Sequence, residues 1–263
     1  MNHLIDIGAN LTGSSFKTDL DDVIQRAINN GVEIMVVTGS NAEDSHAAFE
    51  LTDRYPNILY STAGIHPHHA DDFSEEAIVL LRETHKNLSV VAVGECGLDF
   101  NRNYSISENQ ISAFDAQLEL AVEIQKPVFL HQRDAHDDFV SMLKNCQSGL
   151  AGAVAHCFTG SAEEAVEYID MGLYIGVTGW ICDERRGHDL QDAVKHIPLD
   201  KIMLETDAPY LLPRDLNEKP VHSRRNEPCF LPHICRVTAH HMGVDEEELA
   251  DASLNNTKRF FKL

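Results

Sequence analysis

Four side chains of the types that bind metal ions follow short apolar runs of the chain. They are Glu95 after Val-Ala-Val-Gly, His131 after Val-Phe-Leu, His156 after Ala-Val-Ala and Asp207 after Met-Leu-Glu-Thr. A divalent cation held by carboxylates and imidazoles lowers the pKa of a bound water and polarises a carbonyl or phosphoryl oxygen. The set therefore predicts a metal-dependent hydrolase with Glu95 and Asp207 as catalytic residues. Asp207 would orient the water or take its proton.

Each of these residues has an ordinary structural explanation when it is taken alone. A histidine after an apolar run is usually a structural residue, and Asp207 could cap the following turn. Four such groups at corresponding positions are a different case, because they would be costly to bury without partners. A metal ion supplies the missing partner. Mixed imidazole and carboxylate ligands suit Zn, Mn, Fe or Co, whereas a shell rich in oxygen and water suits Mg.

The metal-binding residues are set in a repeating pattern of apolar runs and amphipathic stretches. The runs are rich in Val and Ile and nearly continuous, which is typical of parallel strands covered on both faces. Predicted strands are residues 3–8, 33–39, 59–66, 90–95, 127–131, 151–156, 173–178 and 201–206. Predicted helices are residues 19–30, 42–54, 74–85, 107–124, 136–145, 162–170, 187–196, 231–241 and 245–261.

A strand followed by a helix, eight times over, predicts a (β/α)8 barrel, the TIM barrel, as one domain over residues 1–263. The alternative is an open doubly wound sheet, but no dinucleotide fingerprint accompanies any of the strands. Barrel enzymes build their active sites at the carboxyl ends of the strands. We therefore expect the four residues, and His66 after the third run, to meet at one mouth.

The amino-acid composition limits which molecules the protein is expected to bind. The 42 acidic and 21 basic residues give a net charge of −21, which is unlike a non-specific polyanion binder. A bound cation and a few local arginines can still receive phosphate. The six cysteines form no CxxC pair and are expected to be free thiols in a reducing compartment. No apolar run approaches the roughly 20 residues of a membrane span, so a soluble cytoplasmic protein without membrane attachment is expected. No feature indicates an obligate protein partner.

Five motifs resemble the TatD family of metal-dependent deoxyribonucleases, and together they extend over nearly the whole chain. They are residues 6–12 (DIGANLT), 63–68 (AGIHPH), 94–99 (GECGLD), 156–160 (HCFTG) and 205–210 (ETDAPY). The last three in combination are highly specific. The resemblance implies a TIM barrel of the metal-dependent amidohydrolase type. It also implies a Mg²⁺-dependent 3′–5′ exonuclease that acts on the 3′ ends of single-stranded DNA and RNA and is linked to repair of oxidised DNA.

The same resemblance assigns ligands. It implies that Glu95, His131 and His156 bind one metal and that Asp207 lies at the metal centre. Mg²⁺ is the expected cation, with Mn²⁺ and Zn²⁺ as alternatives. Many family members carry His-x-His at the end of the first strand for a second metal, whereas this chain has Gly8 and Asn10. We therefore expect one firm metal site and a weak second site to which Asn10 contributes.

A phosphodiester substrate also needs local positive charge. Arginines suit phosphate because the guanidinium makes two parallel hydrogen bonds. Two Arg-Arg pairs follow the seventh and eighth predicted strands, a frequent phosphate-binding region of barrels. Predicted substrate contacts are His66, His68, Arg133, Arg185, Arg186, Arg224 and Arg225, and Trp180 and Tyr210 are candidates to stack on a base.

Two other functions fit the same residues. One is a superfamily hydrolase that cleaves a lactone, an amide or an ester, for which the same metal would serve. The arginines favour a phosphate substrate over these. The other is a catalytically silent binding protein that keeps the barrel, against which the complete metal-binding set argues.

Overall fold

The structure is a computed structural model that describes residues 3–216, 220, 222 and 224–263. Its strands are β1 (Leu4–Ala9), β2 (Val32–Val37), β3 (Leu59–Ala63), β4 (Val90–Asp99), β5 (Val128–Arg133), β6 (Ala153–Ala155), β7 (Tyr174–Val177) and β8 (Ile202–Leu204). Its α-helices are α1 (Leu20–Asn29), α2 (Ala42–Arg54), α3 (Glu75–Thr84), α4 (Ser107–Ile124), α5 (His136–Cys146), α6 (Ala162–Asp170), α7 (His188–Ala193), α8 (Leu231–Met242) and α9 (Glu246–Phe261).

The strands lie side by side in chain order, from β1 to β8. The pairs β3–β4, β4–β5, β5–β6 and β7–β8 are parallel. A parallel bridge also joins Ala9 of β1 to Ala208, which follows β8. A doubly wound sheet reverses its strand order at a switch point, so the open-sheet alternative is wrong. The fold is the (β/α)8 barrel that the sequence predicts.

Two compact units can be distinguished within the chain. The first contains residues 1–36, 157–169 and 174–263, and the second contains residues 37–156 and 170–173. In the second unit, the stacked rings of Phe114 and Phe139 pack α4 against α5, with their centroids 5.7 Å apart. In the first, Tyr174 of β7 packs edge-to-face on Phe260 of α9. The assignment of residues 1–263 to one domain stays a prediction.

The predicted element boundaries agree with the structure to within one or two residues for most helices. Ser74 caps α3 as expected, since its side chain accepts a hydrogen bond from the backbone N–H of Ala77. The seventh helix is shorter than predicted, and a 3₁₀ turn, Val194–His196, completes it. All six cysteines are free thiols. Among the described residues, no helix is both long and apolar enough to span a bilayer.

The largest difference lies in β4. The prediction ends this strand at Glu95, but it continues to Asp99, because Gly97 and Asp99 stay paired with His131 and Arg133 of β5. Between Val93 and Cys96 the strand uses one residue more than β5 uses between Val128 and Leu130. This bulge contains Gly94 and Glu95, and bulges redirect side chains beside active sites. Glu95 therefore lies inside β4, at an irregularity that the sequence pattern does not reveal.

Two glycines allow the close approach of β4 and β5. Gly94 and Gly97 have φ angles of +139° and +142°, a region that side chains rarely adopt. A Cβ atom at Gly97 would lie 1.9 Å from the backbone oxygen of His131. Both glycines of the GECGLD motif thus keep the backbone of β5 in contact with the strand that carries Glu95.

Gly97→Ala should therefore lower the free energy of unfolding by about 2–5 kcal/mol, because it adds backbone strain to overpacking. Gly172→Ala is the matched control. Gly172 also has a positive φ, of +88°, but a Cβ there meets nothing within 4 Å, so this variant should lose only about 1 kcal/mol. Urea denaturation of both variants measures the difference. Equal losses would contradict the close approach at Gly97.

Candidate metal centre

The Glu95 carboxylate is the centre of a cluster of imidazoles in the second unit. Its Oε1 atom lies 2.9 Å from His131 Nδ1, 2.9 Å from His156 Nε2 and 3.2 Å from His66 Nε2. The three histidines lie in β5, directly after β6 and shortly after β3. Glu95 itself is only 6% exposed. We call these four residues the Glu95 cluster. Glu95, His131 and His156 are thus brought together as predicted, and His66 joins them as a potential ligand.

Charge and burial oppose each other in the cluster. Burial disfavours an ionised Glu95, but the surrounding imidazoles, His156 foremost, outweigh it and hold the pKa of Glu95 well below its usual value. Burial lowers the pKa of His66 to about 4, so its imidazole is neutral near pH 7, and its Nδ1 accepts a hydrogen bond from the backbone N–H of His68. Burial also acts against protonation of His131, but Asp99 and Glu95 outweigh it and raise the pKa of His131.

The cluster fits a divalent cation. One carboxylate oxygen faces three imidazole nitrogens, more contacts than its two lone pairs can accept as hydrogen bonds. The buried Nε2 of His131 has no hydrogen-bond partner and lies 3.4 Å from Asp99 Oδ2 without hydrogen-bond geometry. Ligand atoms of His66, Glu95 and His131 all lie within 4.8 Å of one another. Neutral imidazoles and a carboxylate are the donors that Zn²⁺, Mn²⁺ and related ions bind in proteins.

Asp99 is a functional candidate that the sequence reasoning did not assign. It is 1% exposed, and its Oδ2 lies 2.7 Å from Nε2 of His68. Its Oδ1 accepts hydrogen bonds from the backbone N–H groups of Asn101 and Arg102. Burial raises the pKa of Asp99, but the adjacent imidazoles of His131 and His68 outweigh it and hold the pKa of Asp99 well below its usual range. Carboxylates beside metal-binding histidines commonly fix the orientation of the ring. The only signal in the sequence is its place at the end of GECGLD.

Helix α4 positions two backbone segments of the site through buried glutamines. The Gln117 side chain accepts from the N–H of Ile65 at 2.7 Å and donates to the Ile65 carbonyl at 3.0 Å, directly before His66. Gln110 bonds in the same way to the N–H and the carbonyl of Asp99. The two glutamines are seven residues apart and so lie on one face of the helix. Sequence reasoning missed them because a glutamine in a helix usually faces solvent.

Asp207 lies in the first unit, where residues at the end of β1 hold it. Its backbone N–H donates to the Gly8 carbonyl at 2.8 Å, and its Oδ1 accepts from Nδ2 of Asn10 at 3.0 Å. The same amide nitrogen donates to the Ala208 carbonyl. Asn10 therefore acts as a hydrogen-bond donor that orients Asp207.

A buried carboxyl group secures the backbone next to Asp207. Asp6 accepts hydrogen bonds from the N–H of Gly8, from the N–H of Thr206 and from the Thr206 hydroxyl. Burial, its largest influence, raises the pKa of Asp6 to about 7 in spite of these bonds. Asp6 thus ties the end of β1 to the residue that precedes Asp207.

The arginines divide into paired and unpaired groups. Arg185 and Arg186 both contact Asp183, and the guanidinium of Arg186 covers the Trp180 ring at 4.5 Å from its centroid. Arg225 is 10% exposed and bonds to Asp19 and Glu227, so its position is structural and we do not retain it as a phosphate contact. Arg133 has no carboxylate partner in the described part of the chain, and Arg224 is exposed.

Two further groups of potential ligands occur among the described residues, both in the first unit. In the group of Cys182, Asp215 and His233, Arg236 donates to Nδ1 of His233, which leaves the proton on Nε2 to bond with Asp215. In the group of Asp19, His222 and Glu227, arginines already neutralise both carboxylates. Neither arrangement offers the uncompensated donors of the Glu95 cluster.

Comparison with known proteins identifies the family. The sequence model described as "TatD related DNase" matches residues 5–262. The chain belongs to the TatD-related DNase family. A TatD relative from Erwinia billingiae, named a 3′-5′ ssDNA/RNA exonuclease, is 51% identical over 260 residues and covers 99% of each chain.

Solved structures of related proteins have the same fold. A TatD homologue from Escherichia coli K12 has a TM-score of 0.90 and 31% identity, covering 99% of this chain and 98% of the other. An uncharacterised amidohydrolase from Saccharomyces cerevisiae has a TM-score of 0.87 and 25% identity, covering 99% and 100%. The TatD-related family is metal-dependent, and the described residues of this member contain groups suited to bind a metal.

Asp99→Asn should weaken Mn²⁺ binding by roughly 10- to 100-fold, as loss of a carboxylate that orients a ligand histidine usually does. Isothermal titration calorimetry measures the change. Asp183→Asn is the matched control, because that carboxylate is 4% exposed but is held by arginines instead of histidines. Unchanged affinity in the Asp99 variant would show that Asp99 does not support the metal ligands.

Acid stability tests the structural role of Arg225. The Arg225 hydrogen bond, foremost, lowers the pKa of Asp19 to about 2 from a usual value of 3.8. The ionised pair therefore stabilises the fold above about pH 4, and this contribution is lost as the pH falls through 2. Between pH 4 and pH 2, the urea midpoint of unfolding should therefore fall less for Asp19→Asn than for the wild type. Asp22→Asn changes an exposed position on α1 and should lose as much stability as the wild type over this pH range. If Asp19→Asn also lost as much as the wild type, the pairing of Asp19 with Arg225 would be refuted.

Proposed function

We propose that this protein is a divalent-metal-dependent 3′–5′ exonuclease that removes nucleotides from the 3′ ends of single-stranded DNA and RNA. The observation that carries the proposal is the Glu95 cluster, a buried carboxylate facing three imidazoles, in a chain that is 51% identical to a relative named for this activity. Mg²⁺ is the proposed cofactor, with Mn²⁺ and Zn²⁺ as alternatives.

Glu95, His131 and His156 are proposed to hold the cation, and the cluster geometry adds His66 to the candidates. The cation would supply Lewis acidity toward a phosphoryl oxygen and a water of lowered pKa. Asp99 would hold the imidazoles of His131 and His68 in place. Asp207 is proposed to accept the proton of the attacking water, with its orientation fixed by the amide of Asn10.

Arg133 is the strongest candidate for a phosphate contact. It lies two residues after His131 in β5, and alternate residues of a strand point to the same face. It has no carboxylate partner among the described residues, whereas Arg185 and Arg186 share Asp183. Arg185, Arg186 and the exposed Arg224 are secondary candidates, and His68 can approach a phosphate oxygen from beside His66. Repair of oxidised DNA and a cytoplasmic location stay predictions.

The function is tested with a single strand labelled at either end and supplied with Mg²⁺ or Mn²⁺. The wild type should release mononucleotides from the 3′ end, and Glu95→Gln should lower kcat by about a thousandfold, because metal ions contribute several kcal/mol to such reactions. Glu184→Gln, an exposed carboxylate outside the cluster, is the control and should keep full activity.

The two alternative functions predict different results in the same assay. A lactone, amide or ester hydrolase would bind the metal but release no nucleotide with any divalent cation, and that result would overturn the proposal. A silent binding protein would retain the strand intact. Undiminished activity of Glu95→Gln would leave the activity standing but refute the assigned site.

A further inference from the structure

One aromatic ring is exposed beside the Glu95 cluster. The Tyr104 side chain is 65% exposed, and its ring packs edge-to-face on His68, with centroids 4.7 Å apart and planes at 79°. His68 bonds to Asp99, and its ring lies 4.2 Å from that of His66. A single imidazole therefore separates the Tyr104 ring from a member of the cluster. Contact with one small ring leaves most of the phenol surface open to solvent.

The segment that carries Tyr104 is fixed at both ends. At its start, Asp99 accepts hydrogen bonds from the N–H groups of Asn101 and Arg102. At its end, the Ser105 hydroxyl accepts from the N–H of Asp71, and Gln110 donates to the Ser105 carbonyl. Asp71 belongs to the 3₁₀ helix Pro67–Asp72 that also contains His68. The ring is thus presented by an ordered segment, which reduces the entropy that binding must remove.

We propose that Tyr104 is the stacking platform for a nucleobase that flanks the scissile phosphodiester. This inference rests on the proposed nuclease function and names a subsite for its substrate. Proteins that bind single strands without sequence preference stack bases on aromatic rings, because every base presents a π-face. Such a contact reads neither the base identity nor the sugar, so it suits a substrate range that includes both DNA and RNA.

The surroundings of Tyr104 favour this position over Trp180. The Trp180 ring is covered by the guanidinium of Arg186, whereas the only ring contact of Tyr104 in the described residues is with His68. Arg102, two residues before Tyr104, is exposed and places a cation on the same segment. An exposed aromatic residue next to a cation is the combination that single-strand binding sites use.

The experiment compares normal oligonucleotides with oligonucleotides that carry an abasic residue at the 3′-terminal or the penultimate position. For the wild type, one of the two abasic positions should lower kcat/KM by roughly 5- to 150-fold, the range for loss of one stacked base. Tyr104→Ala should show the same loss on the normal strand and no further loss on that abasic strand. Tyr104→Phe should behave as the wild type, since stacking needs only the ring.

Controls separate stacking from a structural role. If Tyr104 merely supported His68, Tyr104→Ala would lower kcat/KM equally on normal and abasic strands and would weaken Mn²⁺ binding; that result would overturn the proposal. Ile106→Ala removes another exposed apolar side chain of the segment and should leave kcat/KM unchanged. If the wild type is active and Tyr104→Ala has the same kcat/KM as the wild type, the stacking site is refuted but the nuclease function is not. A wild type that releases no nucleotide refutes the nuclease function and the stacking site together.

Discussion

The buried carboxylate of Glu95 is the constraint around which the second unit is organised. An ionised carboxylate with 6% exposure needs compensation, because isolated charges are costly to remove from water. Three imidazoles from three different parts of the chain supply it, and a divalent cation among them would compensate further. The bulge in β4, the glycines that allow β5 to approach and the glutamines of α4 all fix the backbone beside these groups.

Several arginines of this strongly acidic chain are used in ion pairs within the fold. Arg225 joins two carboxylates inside the fold, and Arg185 and Arg186 share a third. With a net charge of −21, the chain as a whole does not attract a polyanion at long range. For the proposed nuclease, recognition of a strand would depend on short-range contacts, through the cation, Arg133 and aromatic stacking.

The end of the first strand holds Asp207 in place without a charged side chain of its own beyond Asp6. Gly8 offers no side chain, and the amide nitrogen of Asn10 donates to Asp207 and to the Ala208 carbonyl. These two hydrogen bonds use the amide nitrogen of Asn10 to orient the Asp207 carboxylate. Asp6 and Thr206 hold the adjacent backbone. One firm metal site and a proton-accepting role for Asp207 stay predictions.

Much of this protein could be read from the sequence. The alternation of apolar runs and amphipathic stretches determined the strand order and the barrel, because the period of apolar residues reflects which faces are buried. Acidic and imidazole groups after those runs made Glu95, His131 and His156 the predicted metal-binding residues, since unpaired polar groups at such positions need a partner. The sequence shows Gly94 and Gly97 in the GECGLD motif, but it does not show that the close approach of β5 requires glycine at both positions.

Only the tertiary structure decided how these residues are used. The bulge that turns Glu95, the role of Asp99, the glutamines of α4 and the exposed ring of Tyr104 depend on contacts between residues from 2 to more than 50 positions apart. The division of the arginines into paired and unpaired groups depends on partners as distant as Asp19 and Arg225. Local patterns record which residues are buried, but pairing between distant side chains is set by the fold, and for this reason the sequence predicted the ligands and not their supports.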